Sequence, residues 1–384
     1  MGIRGILNFL SMRIRALFFL TVIALVACNV PQTTESSNQI KQWLTFNSQT
    51  DAPRVVLISG DEEYRSEEAL PQLAKILSER HGFNCTVLFA QDPAKPGIVD
   101  PNYVHHIPGL DQLEGADLMI IFTRFRALPD EQMAYIDQYL RDGNPVLALR
   151  TSTHAFMFQD TSFESNYRHY GNYYDGEDDW EDGFGRMILG EKWISHHGSH
   201  KHQSTVGLAA PKAKNHPILN GINDGDIWGP TDVYGVRLPL PGDSKPIVLG
   251  QVTNREGEED MNDLMYGMRN TDRELPAMEM RKDRSGKEVP FNPNDPMMPI
   301  AWTKSYQLDG GQRGMAFTST IGSSTDLLEE GTRRLLVNAS FWLLDKEVPA
   351  KADVSIVGKY EPTQYAFRDD AYWDERAIRI SELD

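Results

Sequence analysis

The clearest pattern begins at Arg54–Gly60, "RVVLISG", a short unbroken apolar run of the kind expected of a strand covered on both faces. Leu70, Leu73, Ala74 and Leu77 then recur at helical spacing, and that pattern stops near Gly82. Pro71 fits such a helix only close to its first turn. "CTVLFA" predicts a second strand and "ADLMIIF", Ala116–Phe122, a third. Over "LPDEQMAYIDQYLRDG", Met133, Ile136 and Leu140 form one face, Pro129 and Asp130 suit a helix start, and Gly143 suits its end. "PVLAL" predicts the next strand. Farther on, "KPIVLGQV", "PIAWTKSY" and "GMAFTSTIG" read as strands, and "GTRRLLVNASFWLL" as a closing helix with Leu335, Leu336, Ala339 and Trp342 as its buried stripe.

Strands alternating with helices of this size predict an α/β fold, an open and mostly parallel sheet flanked by helices. Ligands of such sheets bind outside the carboxyl ends of the strands. Chemistry is therefore expected in "GDEEYRSEE", "TRFRALPDE" and "RTSTHAF", all rich in charged or hydroxyl side chains. Thr161–Asp182 is polar, acidic and aromatic, a surface excursion with the composition of a lid. Residues 254–296 carry little periodicity and read as an insertion, ordered in part at most. The predicted layout is a main domain over 51–346 and a C-terminal tail over 347–384.

The first residues change the picture of where this domain resides. Arg4, Arg13 and Arg15 precede the apolar run "ALFFLTVIALVA", too short for a comfortable membrane span, which ends in "LVAC". This resembles a bacterial lipoprotein signal peptide over 1–28, with Cys28 as the lipidated residue and 29–50 as a polar tether. The resemblance implies a cell-envelope protein held to a membrane by its N-terminal lipid only, facing the periplasm from the outer membrane in a two-membrane host. The formal charge of −17 over 384 residues argues against a nucleic-acid surface. Cys85 is the only other cysteine, so the mature domain has no internal disulfide, and its apolar surroundings suit a small core residue.

"NPVLALRTSTHAF", Asn144–Phe156, is placed like the strand–elbow–helix of class I glutamine amidotransferases, in which a cysteine occupies the turn. Here the matching residue is Arg150, so a thioester mechanism lacks its nucleophile and no glutaminase activity is expected. Taken together, "GDEEYRSEEALPQLAKIL", "RFRALPDEQ", "LALRTSTHAF", "ISHHGSH", "NHPILNGI", "MMPIAWTKSY" and "TSTIGSSTDLLEEGTRRLLVNASFWLL" resemble the ThuA-like (trehalose utilisation) family over roughly Arg54–Leu344. The resemblance implies a class I glutamine amidotransferase-like (flavodoxin-like) architecture with insertions. It also implies a link to carbohydrate metabolism, with a disaccharide or keto-sugar as ligand.

Within that frame Arg150, His154, His196, His197 and Glu67 are the candidates for catalysis, and Glu63, Tyr64, Ser66, Arg124, Thr151, Asp232 and Tyr234 for substrate binding. Arginine stays protonated and offers a planar fork of donors, so Arg150 suits an anion or a polarised oxygen; pairing with Glu63 or Glu67 is its structural alternative. Crowded carboxylates such as Glu63 and Glu67 can act as acid or base. "ISHHGSHKH" gathers His196, His197, His200 and His202; it admits a divalent metal, but Gly198 breaks any helical pairing and no established spacing appears. His200 and His202 read as exposed loop histidines. Asp232 and Tyr234 stand near an expected strand start, an acceptor beside a ring that suits a sugar, and turn chemistry explains them equally well. The function that follows is acid/base processing of a small sugar derivative, by hydrolysis, elimination or isomerisation. The alternatives are a non-catalytic carbohydrate-binding lipoprotein or a scaffold.

Overall fold

The computed structural model describes residues 40–48, 51–159, 163–176, 179–282 and 285–383. The predicted signal segment, Cys28 and most of the predicted tether lie outside the described residues. The strands are β1 (Trp43–Phe46), β2 (Arg54–Gly60), β3 (Asn84–Phe89), β4 (Leu118–Thr123), β5 (Val146–Leu149), β6 (Gln203–Ala209), β7 (Ile227–Gly229), β8 (Lys245–Asn254), β9 (Glu279–Lys282), β10 (Glu288–Phe291), β11 (Met298–Gln307) and β12 (Arg313–Ser319). The helices are α1 (Ser66–His81), α2 (Asp130–Arg141), α3 (Glu330–Leu343) and α4 (Asp370–Arg376).

Ten strands form one sheet in the order β1-β3-β2-β4-β5-β12-β11-β8-β6-β7. The five strands from β3 to β12 run parallel, the doubly covered α/β core that the apolar runs predict. β1 at one edge and β11, β8, β6 and β7 at the other are antiparallel, so the sheet is mixed beyond its core. Successive strand side chains point to opposite faces. Val55 and Leu57 accordingly join the core beneath α1 and α3, while Val56 and Ile58 join the one beneath α2. Burial on both faces is why these strands read as unbroken apolar runs.

Several segments are more ordered than their composition predicts. Trp43–Phe46, inside the expected tether, is strand β1, paired with β3 from Trp43↔Leu88 to Phe46↔Cys85. The insertion contributes the β9–β10 hairpin and the buried Tyr266 and Met268. The tail is a packed strap: Ala352 and Val354 join the core, Tyr365 and Trp373 are buried, and Glu68 on α1 accepts from Thr363 and Arg376. Pro71 sits in the second turn of α1 rather than its first, because the helix starts at Ser66.

Candidate functional site

Three adjacent parallel strands deliver their following loops to one edge of the sheet. Each loop turns through a non-glycine residue in the left-handed region: Arg65 at φ 60° after β2, Phe125 at 51° after β4, and Arg150 at 39° after β5. Such conformations cost about 1–3 kcal/mol each and persist only where the surroundings over-determine them. They let the loops fold back over the sheet edge. Cys85 lies near the amino end of β3, buried and with its thiol pushed far up by burial, so it is at the wrong end of the sheet to serve the elbow.

Arg150 is the residue on which the site turns, but not in the expected way. It has no exposed surface. Its guanidinium lies between the rings of Tyr64 and Tyr234, 4.2 and 4.1 Å from their centroids. One terminal nitrogen donates to the carbonyls of Asp232 (2.9 Å) and Thr320 (2.7 Å), the other to Tyr64 Oη (3.1 Å) and Asp232 Oδ1 (3.0 Å). Both terminal nitrogens are taken, and Nε, though without a partner, is buried, so the guanidinium is not available to a ligand; this corrects the expectation of Arg150 as a catalytic stabiliser. Its acidic partner is Asp232, not Glu63 or Glu67.

Asp232 is buried and accepts on both oxygens. His196 Nδ1 is 2.8 Å from Oδ2, and His200 Nδ1 is 3.0 Å from Oδ1. On its other side, His200 Nε2 stands 3.3 Å from Glu63 Oε1. Burial opposes ionisation of Asp232, but the two histidines and Arg150 outweigh it and hold the carboxyl below the usual range. At His200 burial likewise opposes charge, and the bonds to Asp232 and Glu63 prevail, so protonation is favoured. Asp232 and Tyr234 follow β7 rather than opening a strand. The bridge His196↔Tyr234 fixes the histidine loop against them.

This cluster forms the floor of a cavity of about 420 Å³, a size suited to a small ligand. Glu63, Arg124, His154, His196, His200 and Tyr234 all line it. Arg124 is ion-paired with Glu62 and lies over the rings of Phe125 and Phe367, at 4.5 and 4.8 Å. His154 is buried against Phe125, Trp193 and Tyr234; burial, then the charges of Arg124 and Arg150, keep it neutral well below the usual histidine range. The walls are aromatic, from Phe125, Tyr173, Trp193 and Phe367, with Lys201 at the rim.

Other expected site residues lie elsewhere. His197 points away: its Nε2 is 2.9 Å from the Pro293 carbonyl and its ring packs on Phe291. Extended backbone at the bridge sends neighbours to opposite sides, so His196 and His197 cannot both face the cavity. Glu67 is buried beside Arg65, 3.6 Å away, and does not line the cavity. Burial raises its pKa to about 7 against the opposing charge of Arg65. Ser66 bonds Ser59 Oγ (2.8 Å) and the Asp61 amide (3.1 Å), and Thr151 donates to Asp61; both brace the loops from within. Tyr64 lies beneath the floor, stacked on Tyr365.

His200 is the main residue that sequence reasoning misplaced, and Phe125, Trp193 and Phe367 were not foreseen. Only the clustering of histidines signalled the first; nothing periodic marked the others. A second cavity, of about 400 Å³, lies by His202, Arg255 and Arg281. Its charges are paired locally, His202 with Glu259 and Arg281 with Glu279.

No family model matches the chain, and no curated protein matches it. Among solved structures it is similar to a ThuA-like protein from Parabacteroides merdae ATCC 43184 at 16% identity and a TM-score of 0.41, over 83% of this chain and 98% of that one. It is similar also to a ThuA-like protein from Bacteroides uniformis ATCC 8492 at 14% identity and a TM-score of 0.35, over 78% of this chain and 95% of that one.

Proposed function

We propose that the chain is a lipid-anchored member of the ThuA-like family that binds a small sugar derivative in the aromatic cavity and processes it by acid/base chemistry. The observation that carries this reading is the convergence of Glu63, His196 and His200 on a cavity walled by ring faces, with Asp232 locked beneath them. Sugar hydroxyls need charged or polar acceptors, and the apolar face of a pyranose packs on aromatic rings. Glu63 is the group placed to take a proton from a ligand. The Asp232–His196–His200 cluster stands beside it, with His200 3.3 Å away, and would stabilise the oxygen on which charge develops. Arg150 positions Asp232 and touches no ligand. The motifs quoted above supply the sugar class, and the "LVAC" signal supplies the envelope location.

Incubation of the purified protein with disaccharides and their 3-keto forms, followed by product analysis, tests the reading. Turnover is expected, with a loss of at least about 100-fold in Glu63→Gln, in the range for a removed acid/base group. Binding without product favours a non-catalytic carbohydrate-binding protein. Neither binding nor product sinks the reading.

A further inference from the structure

We propose that His196, His200 and Asp232 form a binding site for a divalent cation of the zinc or manganese class, open to the aromatic cavity. One ligand atom from each residue can be chosen so that all lie within 4.8 Å of one another. The carboxylate and the two imidazoles now meet at hydrogen-bond distances of 2.8 and 3.0 Å, so an ion that displaces the shared protons would need only small shifts of the three side chains. Two imidazoles and a carboxylate suit these metals by ligand type.

The supports of such a site are also present. Asp232 is fixed by the Arg150 fork, and Arg150 is itself clamped between two rings. Metal ligands are commonly oriented in this way by a surrounding layer of hydrogen bonds. His200 turns Nδ1 to Asp232 and Nε2 to Glu63, 3.3 Å away, on opposite sides of one ring. With an ion held through Nδ1, Glu63 would orient the imidazole through its far nitrogen, as carboxylates commonly do for metal-bound histidines. His196 and His200 both line the cavity, so an ion held between them would meet its contents. A cation there would polarise a hydroxyl or carbonyl oxygen of whatever the cavity holds.

The proposal concerns the cavity of the carbohydrate reading but stands without it. The test uses the full chain without a histidine tag, stripped with chelator and titrated with Zn²⁺ and Mn²⁺ by calorimetry, with metal content measured after dialysis. One equivalent per chain is expected for at least one of the two ions. His196→Ala and His200→Ala should each weaken binding at least 10-fold while keeping the circular dichroism of the parent. His202→Ala, at the other cavity, should bind as the parent does. Absence of stoichiometric binding, or binding unchanged in both His196→Ala and His200→Ala, overturns the proposal. Chelator-insensitive sugar turnover overturns it while leaving the carbohydrate reading intact. Stoichiometric binding without any sugar binding upholds the metal site and removes the sugar.

Discussion

Glu67 shows how far a residue's chemistry can depart from its sequence context. Among the acidic residues of "GDEEYRSEE" it reads as a catalytic carboxylate, yet both its oxygens are buried without a hydrogen-bond partner. Its pKa is raised to about 7, so its neutral form is the one the fold favours. A carboxyl whose folded pKa exceeds its unfolded value stabilises the fold below the unfolded pKa, and that contribution is lost as pH rises through the folded one. Glu67→Gln should therefore resemble the parent near pH 4 and exceed it in stability at pH 8, by on the order of 3 kcal/mol. Paired urea melts at the two pH values check this; a gap that does not widen with pH would place the proton elsewhere. Arg150 gives the converse case. Arg150→Met leaves Asp232 buried without its cation and should cost about 3–5 kcal/mol, with Arg150→Lys intermediate because it keeps the charge but not the fork. Chemical denaturation of both variants is the measurement. The sequence showed that Arg150 needs an acid, but its partner lies 82 positions away, beyond any local pattern.

At the scale of elements, legibility followed burial. The parallel strands are apolar on both faces and could be read directly, β2 to its residue bounds. β6, "QSTVGLA", has buried Ser204 and Thr205 that bond Thr253 and the Thr231 carbonyl, and its polarity hid it. The histidine loop has no period, so nothing local told that His200 faces the cavity and His197 does not. The strap after α3 was read as a tail because its anchors, Tyr365 and Trp373, follow neither a helical nor a strand period. Two substitutions separate its structural part from its functional part. Tyr365→Ala removes a fully buried ring stacked on Tyr64 and should cost about 3–5 kcal/mol. Phe367 is 54% exposed on the cavity wall. Phe367→Ala should change stability by less than about 0.5 kcal/mol and weaken ligand binding several-fold. Thermal melts beside ligand titrations distinguish the two; a large stability loss in Phe367→Ala would make that ring structural.

For the molecule as a whole, the sheet explains how loops after β2, β4 and β5 meet, and the motifs told which loops to inspect. The proposed lipid anchor falls on residues outside those described and is testable by fractionation. Parent protein should partition with membranes or detergent, and Cys28→Ala should not. Partition of both with membrane would favour a spanning segment. Solubility of both would remove the anchor.

The strap also sets a schedule. Arg65, in the loop after β2, bonds the carbonyl of Ala366, 301 positions later. Contacts between such distant residues form late, because closing so long a loop has an entropic cost before it returns any stabilisation. During synthesis the parallel core has left the ribosome well before Tyr365 and Phe367. The cavity wall they complete is then the last part of the site to mature. A chain interrupted in its final twenty or so residues would carry a formed sheet and an unfinished pocket. Exposure of Tyr64 and the rear of the histidine cluster would mark such a product for the cell's proteases.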